Sequence, residues 1–191
     1  MSEYFKKYLQ DAIEVSKSLQ GIEQVFEEAV SAIWNSISSG GKVLWFGNGG
    51  SASDAQHLSA ELVGRFELNR RPLASIALNT DTSAITAIAN DFGYEVVFER
   101  QVEALARKGD ICIGITTSGR SKNVLLALTK SKSLGIQTIA FCGSNTSELK
   151  PVTDILISVT SKSTCHIQEA HILIGQALCG AVERELTKSL E

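Results

Sequence analysis

Apolar residues recur at helical spacing through residues 4–39, the first part of the chain. This spacing predicts two amphipathic helices, because residues three or four apart lie on one helix face. A break is expected near Gly21, where glycine interrupts the pattern, and Gly40-Gly41 ends the second helix.

From residue 42 onward, short apolar runs alternate with helical stretches. Strands are predicted at 42–46, 74–78, 111–115, 137–141 and 155–159. Helices are predicted at 53–63, 82–88, 94–106, 122–133 and 167–188. Strands that are apolar throughout and separated by helices are typical of a parallel sheet covered on both faces. Since ligands bind beyond the carboxyl ends of such strands, the loops after the strands are the candidate sites.

The last predicted helix, at 167–188, is apolar nearly all the way round until Glu183. A helix without a polar face is buried on all sides. We therefore expect a second subunit to cover it, in a homo-oligomer whose first and last helices form a shared bundle. The alternative is a core helix buried within one chain.

Composition and charge narrow the range of partners. The chain has 191 residues, of which 43% are hydrophobic and 20% charged, and its formal net charge is −3. That length suits one domain, 1–191, with helices in 1–40 contributing to the oligomer and an α/β core in 41–191. The acidic balance gives no support to nucleic-acid binding, and no apolar run is long enough for a membrane span.

The cysteines and the first residues bear on the compartment. The chain begins Met1-Ser2-Glu3-Tyr4, without the layout of a signal peptide. We interpret the cysteines as reduced, structural thiols of a cytoplasmic protein, since they have no CxxC spacing. They are Cys112, Cys142, Cys165 and Cys179.

A glycine-rich turn joins the first predicted strand to the next helix and reads Gly47-Asn48-Gly49-Gly50-Ser51. Backbone N–H groups in such a turn can face an anion. The helix that follows carries His57 and Glu61, which lie four residues apart on one face. That pair suits a metal ion or an acid–base task, although a surface contact has the same spacing.

A second polar loop follows the predicted strand at 111–115 and reads Thr116-Thr117-Ser118-Gly119-Arg120-Ser121. Hydroxyls together with helix N-terminal amides suit a phosphate monoester. The alternative is a cluster of N-cap residues. Four hydroxyls after a buried strand, in a chain with a second glycine-rich loop in an equivalent place, favour phosphate.

Other polar groups leave alternatives open. Asn90-Asp91 forms either a helix end with its turn or a pair of ligands for a polyhydroxylated molecule. Gln168 and Gln176 lie about 80° apart around the last predicted helix, so they share a face. His171 lies about 140° from Gln176 and is not expected to do the same task.

These motifs together resemble the bacterial phosphoheptose isomerases, which are sugar-isomerase (SIS) domain proteins. The resemblance covers nearly the whole chain and rests on the glycine-rich loop, the His57/Glu61 pair, Asn90-Asp91-Phe92-Gly93, Thr117-Ser118-Gly119 and Ile167-Gln168-Glu169-Ala170-His171. It implies a flavodoxin-like α/β fold, with a five-stranded parallel sheet flanked by helices and an N-terminal helical extension. It also implies a homotetramer with active sites between subunits and one zinc ion per site.

The resemblance implies roles for individual residues as well. The phosphate would be held by Ser51, Thr116, Ser118 and Ser121. The sugar would be lined by Asn48, Gly49, Gly50, Asn90, Asp91 and Thr117, with Arg65 near the same site. Zinc would contact His57, Glu61 and Gln168, and Glu61 would also move a substrate proton.

One catalytic position departs from the family pattern. The isomerases usually carry a histidine eight residues after the glutamine matched by Gln168, where this chain has Gln176. Glutamine is a poor metal ligand beside imidazole and is no base near pH 7. Before Gln168 the chain has Cys165-His166 in place of the usual residues, so His166 is a candidate to take over the lost role.

The resemblance implies interconversion of sedoheptulose 7-phosphate and D-glycero-D-manno-heptose 7-phosphate through an enediol(ate), with Glu61 as base and zinc polarising the carbonyl. The product would serve heptose synthesis for lipopolysaccharide or a capsule-like glycan. One alternative is a non-catalytic SIS tetramer of the replication-initiator-associated type, and another is a sugar-phosphate-binding regulator. Retention of Glu61 favours the enzyme.

Overall fold

The computed structural model describes residues 2–188, which form one parallel sheet with helices on both faces. The strands are β1 (Val43–Gly47), β2 (Ser75–Ala77), β3 (Ile111–Thr116), β4 (Gln137–Cys142) and β5 (Ile155–Ser158). The helices are α1 (Glu3–Ser18), α2 (Glu23–Ser38), α3 (Gly50–Val63), α4 (Thr82–Phe92), α5 (Val97–Leu105), α6 (Lys122–Ser133) and α7 (Thr164–Lys188). Short 3-10 segments lie at Leu19–Ile22, Tyr94–Val96 and Lys150–Val152.

The strand order is β2-β1-β3-β4-β5, and every pair of neighbours is parallel. This is the flavodoxin-like order, which confirms the predicted fold class. The strand order changes direction between β1 and β3. The helices that follow these two strands, α3 and α6, therefore pack on opposite faces of the sheet, while the loops that lead into them begin side by side. Such a switch point leaves a crevice beyond the carboxyl ends of the strands, where a ligand can bind.

Alternate side chains of β1 face different hydrophobic cores. Trp45 packs with α2, α3 and α7 in one core, while Leu44 and Phe46 pack with α5 and α6 in the other. Every residue of β1 and β3 is buried because both faces of the sheet are covered. The prediction of strands from apolar runs succeeded for this reason.

The predicted bounds differ from the structure at helix starts and at the end of α4, which is predicted at 88 and lies at Phe92. Helix α3 begins at Gly50 and α7 at Thr164, three residues earlier than predicted in each case. The predicted helix at 94–106 divides into the 3-10 segment Tyr94–Val96 and α5. Of the cysteines, Cys165 is exposed, so a structural role in the core holds only for the other three.

Helix α7 is largely buried within its own chain, against α1, α2, α3 and β4. The intrachain alternative therefore accounts for most of its apolar surface. Leu173 remains 47% exposed, and α1 has no buried residue at all. Among the helices of residues 2–188, none is long and apolar enough to cross a lipid bilayer.

Candidate functional site

The two loops at the switch point lie side by side, because Gly47 of β1 pairs in register with Ile115 of β3. A Cβ atom at Gly47 would lie 2.8 Å from both the Ile115 carbonyl oxygen and the Ser51 Cβ. Glycine therefore lets the first turn of α3 approach β3 closely. Gly49 has φ +56 and open space beside its Cα, so its backbone is accessible to a ligand.

The hydroxyl groups of the second loop converge. The Thr116 Oγ1 lies 2.9 Å from the Ser121 Oγ and 3.4 Å from the Ser118 Oγ. Ser121 is the N-cap residue of α6, and Ser51 is buried in the first turn of α3. Two helix N-termini and a cluster of hydroxyls thus face the same crevice, an arrangement suited to a phosphate group.

A reciprocal amide pair forms the floor of the crevice. Asn48 Nδ2 donates to Asn123 Oδ1 at 2.8 Å, and Asn123 Nδ2 donates to Asn48 Oδ1 at 2.9 Å. The Tyr94 hydroxyl donates to the same Asn48 oxygen at 3.0 Å. These residues, with Gly93, Glu95, Ser121 and Lys122, line a cavity of about 480 Å³. The cavity extends from the loops after β1 and β3 toward the start of α5.

Asn90 and Asp91 lie exposed in the last turn of α4, and Asn90 Nδ2 donates to Asp91 Oδ1 at 2.8 Å. The helix ends at Gly93, whose φ of +94 favours glycine. Asn90 and Asp91 thus form part of a helix end, one of the two alternatives, although α4 continues four residues beyond its predicted end at 88. A role for the same two side chains in sugar binding stays a prediction, since they border the cavity only through Gly93 and Tyr94.

The His57/Glu61 pair lies further along α3. His57 Nε2 is 2.9 Å from Glu61 Oε1, and the histidine is the more exposed of the two. Asp54, one turn earlier on the same helix, is 6% exposed and interacts with both Gln168 and His57. Burial raises the pKa of the Asp54 carboxyl to about 6, while the Gln168 hydrogen bond and the His57 charge oppose that rise.

The Gln168 side chain reaches this cluster from α7. Its carboxamide packs against Gly50 so closely that a Cβ atom there would collide with it. Helices α3 and α7 therefore place Gln168 beside the first turn of α3 and near Asp54, one turn before His57. A shared site of His57, Glu61 and Gln168, which the resemblance implies, stays a prediction.

The donors at this cluster fit a zinc ion. An imidazole and a carboxylate face each other on α3, and both are among zinc's common ligands. Within residues 2–188, no three His, Cys, Asp or Glu side chains converge as a metal site. A third protein donor to zinc here would therefore have to be an amide, such as that of Gln168. Gln176 is half-buried on α7.

Arg65 lies two residues beyond the end of α3, exposed to solvent. The length of that helix, about 20 Å at 1.5 Å per residue, separates it from Ser51 in the same chain. Proximity of Arg65 to the phosphate loops is thus not met within one chain. It stays a prediction for a site completed by a neighbouring subunit.

The hypothesis that His166 replaces the missing histidine is not supported by its placement. Because α7 begins at Thr164, His166 and Gln168 lie about 200° apart around one helix. His166 Nδ1 is 2.8 Å from Glu169 Oε2, and its ring packs against Tyr8 of α1. The Tyr8 hydroxyl also donates to Glu169. His166 thus anchors α1 and does not face the α3 cluster.

His171 is fully buried, and its Nε2 lies 3.1 Å from the Cys142 carbonyl oxygen. Its Nδ1 has no hydrogen-bond partner in the described part of the chain. Burial lowers the pKa of the imidazole to about 4, although the hydrogen bond with Cys142 opposes that shift. His171 is thus a core residue against the end of β4, and the prediction that it does not perform the task of position 176 stays a prediction.

Acidification is expected to destabilise the protein through His171. Between pH 6.5 and about 4 the unfolded chain binds a proton that the native imidazole does not, so stability falls as pH falls. A full shift of this size corresponds to about 3 kcal/mol in the free energy of unfolding. Urea unfolding of the wild type and His171→Gln at pH 7 and pH 4 measures it. Equal losses in the two proteins would contradict the expectation.

The sequence analysis assigned no role to two residues that the structure places near the site. Asn123, in the first turn of α6, pairs with Asn48, and Asp54 lies near Gln168. A charged residue three before His57 shares its helix face, so spacing alone was a signal for Asp54. The Asn123 pairing needed the relative placement of two loops 75 residues apart.

The SIS domain family model matches residues 7–143 of this chain. The phosphoheptose isomerase of Helicobacter pylori strain P12 is 49% identical over 179 residues, covering 94% of this chain and 93% of that protein. The chain belongs to the phosphoheptose isomerase family of SIS-domain proteins. The enzyme of Aquifex aeolicus is also 49% identical, over 184 residues and 96% of both chains.

Solved structures of the family have the same architecture. A phosphoheptose isomerase from Neisseria gonorrhoeae superposes with a TM-score of 0.90 at 36% identity, covering 95% of this chain and 98% of that one. One from Francisella tularensis gives 0.92 at 34% identity, covering 96% and 100%. The Vibrio vulnificus NanR protein, complexed with ManNAc-6P, gives 0.70 at 13% identity over 98% of this chain and 65% of its own. The last likeness shows the fold alone.

Proposed function

We propose that this chain is a phosphoheptose isomerase, which interconverts sedoheptulose 7-phosphate and D-glycero-D-manno-heptose 7-phosphate. The observation that carries the proposal is the crevice at the switch point, where hydroxyls and two helix N-termini converge. One of these helices, α3, carries the His57/Glu61 pair further along. Relatives named phosphoheptose isomerase are about half identical to this chain along nearly its whole length. The regulator alternative has in its favour only likeness below 25% identity, such as that to a transcription factor's sugar isomerase domain at 18%, which shows the fold alone.

The reaction moves a proton between C1 and C2 of the sugar, so it needs a base and stabilisation of an oxyanion. Glu61 is the base, because its carboxylate lies 2.9 Å from the His57 Nε2 and is partly exposed. Ser51, Thr116, Ser118 and Ser121 hold the phosphate, which positions the reacting carbons through binding energy remote from them. Asn48, Gly49, Gly50, Asn90, Asp91 and Thr117 contact the sugar hydroxyls.

His57, Glu61 and Gln168 are the residues that would hold a zinc ion. When bound, zinc supplies Lewis-acid polarisation of the substrate carbonyl. Gln176 adds no imidazole to this set, so we infer a weaker zinc affinity than that of a site with histidine at this position. The protein is cytoplasmic, and its product serves lipopolysaccharide or another heptose-containing glycan.

The active form is a homotetramer. Phe5, Leu9 and Ile13 form an exposed apolar stripe on α1. A groove of about 670 Å³ lies between α2 and α7 and is lined by Leu19, Ile22, Glu23, Gln24, Phe26, Glu27, Leu173, Ile174 and Ala177. These apolar surfaces suit contacts between copies of the chain, and a neighbouring copy can bring Arg65 to the phosphate loops.

A charge placed on the α1 stripe or in the groove between α2 and α7 is expected to dissociate the tetramer. Leu9→Glu and Leu173→Glu each bury a carboxylate in the proposed interface, which disfavours association. Light scattering after size exclusion measures the mass. The control Lys7→Gln changes net charge equally but replaces an exposed residue that pairs with Asp11, so it retains the tetramer. Unchanged mass in both glutamate variants would refute this interface.

Turnover of sedoheptulose 7-phosphate by the purified wild type tests the proposed function. Proton NMR in D₂O follows the aldose product and solvent deuterium incorporated next to the carbonyl, and the assay is run with and without added zinc. Product formation shows that Gln176 permits isomerisation. Absence of turnover, with sedoheptulose 7-phosphate still raising the Tm, would assign the chain to the binding class instead.

A further inference from the structure

Asp54 is a buried carboxyl group whose burial the fold itself does not explain. It lies on α3 one turn before His57 and two turns before Glu61, so the three side chains share a helix face. Its Oδ2 has no hydrogen-bond partner among residues 2–188. A buried carboxylate oxygen without a partner costs free energy, so its neighbours must provide the reason for an aspartate here.

Those neighbours belong to the reaction site. Gly50 and Asp54 lie four residues apart on one face of α3, and the Gln168 carboxamide packs against Gly50, so the Asp54 carboxyl is the next polar group beside that amide. Asp54 also interacts with His57 and with the Gln168 amide. The carboxamide lies so close to Gly50 that any side chain at that position would collide with it. The amide is thus confined against the first turn of α3, near the Asp54 carboxyl.

Hydrogen-bond chemistry then decides which way the amide points. A carboxylate only accepts hydrogen bonds, so Gln168 donates through Nε2 and its Oε1 is directed away from Asp54. The two amide orientations differ little in shape, and without an acceptor nothing distinguishes them. Only the orientation with Oε1 outward offers an oxygen to a cation or to a substrate hydroxyl proton.

We propose that Asp54 is a positioning residue that fixes the Gln168 carboxamide with its oxygen facing the bound ligand. The inference deepens the proposed function and rests on it. Partners of this kind, which orient a ligating side chain, are typically worth about 10–100-fold in metal affinity or activity. Asp54 does not itself need to touch the substrate.

A double-mutant cycle on Asp54 and Gln168 tests the proposal. Asp54→Ala is expected to lower kcat/KM, and separately the affinity of the apo protein for zinc alone, by about 10–100-fold. Asp54→Asn keeps an acceptor oxygen and is expected to retain more of both. In the Gln168→Ala background, Asp54→Ala has no further effect, since its role acts through the amide.

Asp110→Asn is the matched control. Asp110 is 5% exposed, and it accepts hydrogen bonds from Lys42 and from the Arg107 backbone at the amino end of β3. This variant is expected to lower the Tm while leaving kcat/KM and zinc affinity unchanged. If Asp54→Ala fails to fold, Asp54→Asn carries the same cycle, with a smaller expected loss.

The outcomes separate the inference from the proposed function. Wild-type kcat/KM and zinc affinity in Asp54→Ala would overturn the inference, as would losses that add in full to those of Gln168→Ala. If the wild type binds zinc with this Asp54 dependence but does not turn over the sugar phosphate, the isomerase proposal fails and the positioning role stands. A wild type that neither binds zinc nor turns over would overturn both.

Discussion

Glu61→Gln is expected to lower kcat for sedoheptulose 7-phosphate by about 10²–10⁴-fold, the usual contribution of a general base. The amide keeps the shape of the carboxylate and can still bond to His57, which lies 2.9 Å from the Glu61 Oε1. What the substitution removes is an oxygen that can accept a proton from carbon. Because the phosphate loops are untouched, KM is expected to change little.

Three measurements make the Glu61 result decisive. Steady-state kinetics separates kcat from KM, the Tm reports folding, and solvent deuterium incorporation reports proton abstraction itself. Glu103→Gln is the control, since it removes a 60% exposed carboxylate on α5 that pairs with Lys130. A Glu61→Gln enzyme with kcat within threefold of the wild type would place the base elsewhere.

The sheet could be predicted because its strands are buried on both faces, which leaves an uninterrupted apolar run such as Ile111–Thr116. Strand order could not, since periodicity does not say which strands are neighbours. The shortest strand, β2, lies at an edge and has Ile76 37% exposed, so its pattern carries less information. Its edge position depends on the pairing of β1 with β3, whose paired residues, such as Val43 and Ile111, are 68 positions apart in the sequence.

The site could be predicted in its loops and less well on its helices. Loop chemistry is local, so the hydroxyls of Thr116 and Ser121 were expected to act together and do meet. A side chain on a helix depends on where the helix starts. With α7 starting at 167, His166 belonged to a loop and was free to face Gln168, but the start at Thr164 turns it toward Tyr8.

The rest of the site could not be predicted because it depends on contacts between residues far apart in the sequence. Gln168 meets Gly50 and Asp54 only because α7 returns to pack beside α3, more than 100 residues earlier in the chain. No local pattern reports such a contact. The resemblance to a family implied Gln168 as a zinc ligand but implied no role for Asp54. The proposed role of Asp54 rests on its position in the structure.

A buried ion pair anchors the end of the helix that carries Glu61. Glu183 of α7 is fully buried and accepts hydrogen bonds from the backbone N–H groups of Phe66, Glu67 and Leu68 at 2.7–3.0 Å. It also accepts from Arg70 Nε at 2.9 Å. Burial raises the pKa of Glu183, but these N–H groups and the Arg70 charge together hold it below its usual value. Arg70 Nη2 in turn donates to the Glu61 carbonyl oxygen at 2.7 Å.

Glu183→Ala is therefore expected to destabilise the protein by about 3–5 kcal/mol, because it leaves a buried guanidinium and three backbone donors unpaired. Since whole proteins of this kind are stable by only about 5–15 kcal/mol, the loss is large. Urea unfolding at fixed protein concentration measures it as a lower midpoint at constant slope. Glu67→Ala is the control, because the Glu67–Arg184 pair is about half exposed and worth at most about 1 kcal/mol. Equal midpoints for the two variants would mean that the Arg70–Glu183 pair does not hold the end of α3, and Glu61 would then owe its position to helix packing alone.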